Sequence, residues 1–325
     1  MTLTQSVLAT LAYHDIFDYP LKEEEIHQYL VGKKVSLLKV KNQLEMLSND
    51  KKIVHYSSEK ARSFLLYALR RREKIFKIRI LRTRYSQNKL QKAKFYTNLL
   101  KLIPTIRLVA ISGALAMENS HKDDDVDLVI ICAQNTLWTT RFLANLILLP
   151  FRRYPQSKRV AGRACLNIFI DESELKIRPQ DLYAAHEICQ MKPLWDREGT
   201  YSRVAPVNAN TNIKRSLSVY SRFIKANQWV SKYLPNWTQN DEHKTTNTKN
   251  QKIKKALVIS HLALVVEIFL KKFQLWYMRS KISNERIGER QLFFHPANTQ
   301  DWVLKEYQKR LSTLSFPRLP RLPQL

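Results

Sequence analysis

Glycine is scarce in this chain: five in 325 residues, namely Gly32, Gly113, Gly162, Gly199 and Gly288. A turn-rich all-β fold needs many more, so with abundant Leu, Lys, Ile and Gln the composition points to helices around one modest sheet. Cysteine is scarcer still. Cys132, Cys165 and Cys189 show no C-x-x-C spacing and no clustered histidines, which excludes a disulfide framework and a zinc ribbon and fits a reducing cytoplasm. The opening "MTLTQSVLATLAYHD" lacks the basic start, apolar core and small-residue cleavage site of a secretion signal, so a cytoplasmic location is expected. Apolar runs of spanning length are missing too. Phe142 to Phe151 is too short, and Ala256 to Leu270 carries His261 and Glu267 and falls about five residues short of a span. With Lys252, Lys254 and Lys255 before it and Lys271 and Lys272 after it, that second run reads as a buried bundle helix or, alternatively, a helix lying at a membrane surface. Acid is the minority charge: 28 Asp and Glu against 55 Lys and Arg give a net charge of +27, which attracts nucleic acid, nucleotides or acidic lipid without choosing among them.

Residues 1–69 read as three short helices followed by a hairpin. Val7, Leu8, Leu11, Ala12 and Phe17 recur at helical spacing; Tyr19-Pro20 ends that helix; Glu23, Glu24 and Glu25 open the next, where the helix dipole favours acid. "VSLLKVKNQLEMLSND" supplies a third helix with Leu37, Leu38, Val40, Leu44 and Leu47 for its buried face. "KKIVHY" and "SFLLYAL" flank the polar turn "SSEKAR". Helix, helix, helix, hairpin is the order of a winged-helix-like unit, in which Lys39 and Lys41 would face a nucleic-acid groove, although such units also serve as packing modules. Residues 70–104 read as a basic connecting helix ending before Pro104, its cations either solvated or tracking a phosphate backbone. Residues 105–180 hold the strand candidates "IRLVAI", "DDDVDLVIIC" and "LNIFID". Residues 181–325 read as a helical region with a polar linker near 236–255.

The stretch "SGALAMENSHKDDDVDLVII" concentrates the chemistry. Strand alternation turns Asp125 and Asp127 to one side while Val126 and Leu128 turn to the core. Two adjacent carboxylates repel unless they share a cation, and Mg²⁺ prefers carboxylate oxygens together with phosphates. Gly113, at the strand-to-helix bend, lets backbone N–H groups approach a phosphate. Asp123 and Asp124 stand beside the pair, so the acids need either counter-ions or a long exposed loop.

Strand, glycine bend, short helix and Asp-x-Asp strand resemble the signature of the nucleotidyltransferase superfamily, whose type is the DNA polymerase β-like domain. The likeness covers about Thr105 to Asp171. It implies an α+β fold with a small mixed sheet, flanked here by the winged-helix-like unit and C-terminal helices. It also implies transfer of a nucleoside monophosphate from an NTP to a hydroxyl acceptor with Mg²⁺. Carried over, Asp125 and Asp127 would be catalytic metal ligands, and Ser112, Gly113 and Ala114 would hold the nucleotide's phosphates. Ala114 stands where the family places a serine. Asn167 stands at the expected third acid, so Asp171, taken by alternation to share the face of Asn167 and Phe169, is the catalytic substitute from the strand end. An amide is no general base. The alternative is therefore a catalytically degenerate regulator that binds nucleic acid through its basic surface, or a protein partner.

Overall fold

The computed structural model describes residues 1–57, 65–154, 160–198, 218–237, 261–279, 285–294 and 298–314. The hairpin turn "SSEKAR" beyond Ser57 and nearly all of the polar linker lie outside them.

The N-terminal order is as expected: helices α1 (Leu3–Asp15), α2 (Glu23–Gln28) and α3 (Leu37–Asn49), then strands β1 (Ile53–Ser57) and β2 (Leu65–Leu69), paired antiparallel. Thr2 and Gln5 close a reciprocal capping box at the start of α1. On α3, Val40, Leu44 and Leu47 are buried, but Leu38 is 67% exposed and lies outside the face it was assigned. The outer side of α3 carries Leu38, Glu45 and Met46 among its cations, and Lys41 is bonded to Glu23 at 2.8 Å.

Helix α4 (Lys74–Leu100) follows and ends before Pro104. Several of its cations do not face solvent. Arg79 pairs with Glu25 at 2.8 Å, Arg82 donates to the carbonyl of Phe17 at 2.8 Å, and Arg72, just ahead of the helix, pairs with Asp15 at 2.5 Å. The acids at the N-terminus thus draw this end of the basic helix inward, so it is not an open phosphate track.

The remaining chain builds one mixed sheet: β3 (Ile106–Ile111), α5 (Gly113–Ala116), β4 (Val126–Cys132), α6 (Leu137–Ile147), β5 (Ala164–Asp171), α7 (Leu182–Gln190), β6 (Lys192–Asp196), α8 (Val219–Ala226), α9 (His261–Met278), β7 (Arg286–Ile287), β8 (Gln291–Phe293) and α10 (Asn298–Thr313). Among the described residues the sheet order is β6-β3-β4-β5-β8-β7, with β4 and β5 parallel and the other neighbours antiparallel. Pro193, which has no N–H to give, is tolerated because β6 is an edge strand. Along β4 the side chains alternate between two cores. Val126, Leu128 and Ile130 pack with residues of α4 and α6, while Val129 and Ile131 join a cluster containing α1, α3, α7, α8 and α10. The chain is therefore a mixed α+β protein in which the N-terminal helices share a core with one face of the sheet.

Candidate metal and nucleotide site

The bend after β3 is built around one left-handed residue. Gly113 has φ +60°, and a Cβ placed there would lie 3.2 Å from Oδ2 of Asp127. A side chain would meet both backbone strain and the carboxylate, so glycine is what lets the bend close on the acid. The backbone N–H of Ser112 donates to the carbonyl of Asp127 at 3.3 Å, tying bend and strand together. The Ser112 side chain is buried and Ala114 is exposed.

The acids reach the sheet through a loop held at several points. His121 N–H donates to Asp124 Oδ2 at 2.6 Å, Gly162 N–H to the carbonyl of Asp124 at 2.8 Å, and Val126 N–H to the carbonyl of Arg163 at 2.8 Å. Lys89 of α4 bonds the carbonyl of His121 and lies in the field of Asp124, Asp125 and Asp123, though burial still lowers its pKa. Arg153 reaches Asp125 Oδ2 at 2.9 Å. Burial opposes the charge on that guanidinium, and Asp125 outweighs it, raising the Arg153 pKa. Asp125 thus has a counter-ion and Asp124 is tied to the loop backbone, while Asp123 is exposed.

Asp125 and Asp127 do share a side of the chain. One carboxylate oxygen from each, together with Sγ of Cys165, forms a cluster whose atoms all lie within 4.8 Å of one another. Cys165 is placed by register, since it sits directly opposite Asp127 in the parallel β4–β5 ladder. Burial pushes its thiol pKa up strongly; Asp127 and Asp125 push the same way, Arg153 pulls back, and a hydrogen bond to Asp127 adds to the rise. The thiol is therefore protonated near neutral pH. Tyr183 of α7 lies close enough to Asp127 for that charge to raise its pKa further, on top of the dominant effect of burial.

The structure does not bring Asp171 to the pair. Seven residues of β4 face eight of β5, and the extra one is absorbed at Asn167, between the Leu128–Leu166 and Val129–Ile168 pairs. That bulge reverses the alternation assumed from the sequence. Ile168 and Ile170 take the Asp127 side, whereas Phe169 and Asp171 turn with Ile130 and Cys132 to the other. Asp171 also lies six positions beyond Cys165, roughly 20 Å along the strand. It is 1% exposed and accepts from Asn135 N–H at 2.7 Å, Ser173 N–H at 2.9 Å, Ser173 Oγ at 2.6 Å and Arg290 Nη1 at 3.1 Å, an anchor for the turn after β4. Asn167 is buried at the bulge, its carbonyl accepting from Phe294 N–H at 2.8 Å.

Cys165 and Arg153 are the site residues that sequence reasoning missed. Neither carried a signal in the sequence, since Cys165 is set opposite Asp127 only by the pairing of β4 with β5, and Arg153 only by the path of the chain after α6. Elsewhere in the fold, His186 stacks on Tyr13 with centroids 3.7 Å apart, and Arg197 covers the ring of Trp195 at 4.9 Å. Comparison with protein families, curated proteins and solved structures finds no match for this chain.

Proposed function

We propose that this chain is a nucleotidyltransferase-type protein. In this reading Asp125 and Asp127 bind a divalent cation carrying a nucleoside triphosphate, and a nucleoside monophosphate passes to a hydroxyl acceptor. The supporting observation is the cluster itself: two carboxylates turned to one side of the chain, against a left-handed glycine where a Cβ would crowd the Asp127 carboxylate. The donor set fits Mg²⁺ through its two hard oxygens, with a protonated thiol standing aside; a softer ion would recruit the sulfur as well. Mg²⁺, when bound, supplies charge neutralisation of the triphosphate and acidification of the attacking hydroxyl. The chain's own groups then have defined roles. Asp125 and Asp127 hold the cation, Gly113 keeps the backbone open towards the phosphates, and Arg153 gives up Asp125 and becomes available to an anionic ligand. The N-terminal unit, with its helix-helix-helix-hairpin order, is read as a winged-helix-like packing module. Its interior joins the core of the sheet, and its outward α3 face is only sparsely basic.

A second reading rests on Cys165 and Arg153. A half-buried neutral thiol stands where a third carboxylate would assist the acceptor, and Arg153 already neutralises Asp125. Both favour a protein that holds nucleotide and regulates a partner over a fast transferase. Titration calorimetry with Mg²⁺ and each NTP, on the native chain and on the Asp125→Ala, Asp127→Ala double variant, tests the site. Equal binding by both proteins removes it. Transfer of label from α-³²P NTP separates the two readings: turnover supports the transferase, and binding without turnover supports the regulator.

A further inference from the structure

Helix α9 is apolar on its outer side as well as where it meets the core. Its inward face packs Leu270, Leu275 and Met278 into the core together with two buried polar side chains: Glu267, 8% exposed, accepts from Trp138 N–H at 2.7 Å, Thr139 N–H at 2.8 Å and Thr139 Oγ1 at 2.6 Å, so it caps the first turn of α6. Gln274, also buried, donates to the carbonyl of Trp138 at 2.8 Å and accepts from Arg141 at 2.5 Å. A second set of apolar residues points the other way. Leu262 and Trp276 are each 72% exposed and Phe269 is 65% exposed, and Val265 and Phe273 are exposed with them. At 100° per residue these positions fall on one stripe opposite Glu267. Leaving such a stripe in water is costly, and soluble surfaces rarely carry a contiguous one.

We propose that this face of α9 docks on an anionic lipid bilayer, lying in the interface and not crossing it. Four observations select that occupant. No helix among the described residues is long and apolar enough to span. Leu, Val, Phe and Trp on the outer side with Lys272 beside them, Lys271 nearer the protein, and Lys252, Lys254 and Lys255 just upstream in sequence are the composition of a helix that buries its apolar side at the headgroup boundary. Trp276 and Tyr277, both exposed near the helix end, are side chains that settle at that depth. The net charge of +27 attracts acidic headgroups and opposes a second copy placed against the same face. The proposal is independent of the chemistry at Asp125 and Asp127.

The test uses the full chain and extruded vesicles. Flotation with mixed phosphatidylserine–phosphatidylcholine vesicles is expected, and none with phosphatidylcholine alone. Phe269→Gln with Trp276→Gln, both at exposed positions, should lower the bound fraction at least tenfold with an unchanged melting temperature. Lys272→Glu should weaken binding at low salt. Vesicles should also shift the tryptophan emission to the blue in the native chain, and the shift should shrink in Trp276→Phe, which still floats. No flotation, flotation indifferent to the double glutamine variant, or a dimer that this variant dissolves would each overturn the proposal; the last would assign the face to a second copy.

Discussion

Gly113 and Asp127 meet across the bend between β3 and β4, with only 3.2 Å between the Asp127 carboxylate and the point where a Cβ on Gly113 would stand. The positive φ of Gly113 makes any side chain there strained, by about 1 kcal/mol for alanine. Gly113→Ala is therefore expected to lower stability by about 1–2 kcal/mol once the displaced carboxylate is included. It should also weaken Mg²⁺–NTP binding at least tenfold. Chemical denaturation and calorimetry on one preparation separate the two effects, and unchanged binding would show that the bend does not face the phosphates.

Asp125→Asn should leave the fold nearly intact. The Arg153 pair it breaks is 43% exposed on the arginine side, where screening by water limits its worth to about 0.2–1 kcal/mol. Cation binding should nonetheless fall sharply, because half of the carboxylate pair is gone. Arg153→Ala should do the opposite, freeing Asp125 and raising affinity for the bare cation. If Arg153→Ala lowers cation affinity, the arginine is not competing for that site.

Cys165→Asp would place a third carboxylate opposite Asp127. Mg²⁺ affinity is expected to rise, and label transfer from α-³²P NTP to increase or appear. The same change crowds three acids, so without a divalent cation the variant should be less stable and should recover on adding Mg²⁺. Asn167→Asp, which sequence alternation alone recommends, should do neither, since that residue lies in the bulge beside the Leu128–Leu166 pair. A gain from Asn167→Asp and none from Cys165→Asp would show that the register has been misassigned.

The contrast between those two substitutions marks how much of the site could be read in advance. Asp125, Asp127 and Gly113 were legible because each follows from a local rule, strand alternation over two residues or left-handed backbone. Asp171 was misassigned because one extra residue in β5 reverses every side chain after it, and which residue bulges is decided by pairing with β4 and β8. The α1–α3 helices, the hairpin and the ends of α4 were visible as periodicity and breakers. The fate of the α4 arginines was not. Arg72 and Arg79 look like surface charge until Asp15 and Glu25 are brought to them by tertiary packing. Leu38 shows the same limit from the apolar side, since a hydrophobic residue next to a buried stripe need not belong to it.

Glu267 offers a prediction on stability alone. It is buried and satisfies two backbone N–H groups and a hydroxyl at the start of α6. Glu267→Ala leaves those donors without a partner and should cost about 2–4 kcal/mol. Glu267→Gln retains acceptor capacity and should cost less. Thermal melts of the two variants give the order, and a smaller loss for alanine would mean that the cap is dispensable.

Acid sensitivity should come from the histidines under α1 and α7. His14 and His186 are buried, with ring centroids 5.3 Å apart. Burial lowers the His14 pKa to about 4; a hydrogen bond to the Thr10 carbonyl and the Glu25 charge oppose this, and Arg79 adds to it. Burial and the neighbouring His14 also hold His186 well below the ordinary value. Between about pH 6.5 and 4 the unfolded chain therefore takes up a proton on each histidine that the native chain refuses, so stability falls as pH falls through that window. For His14 alone the loss approaches roughly 3 kcal/mol at the bottom of the window. His14→Gln, whose amide can still donate to Thr10, should flatten the dependence of the unfolding free energy on pH between 7 and 5. A slope equal to that of the native chain would mean that His14 protonates as readily folded as unfolded.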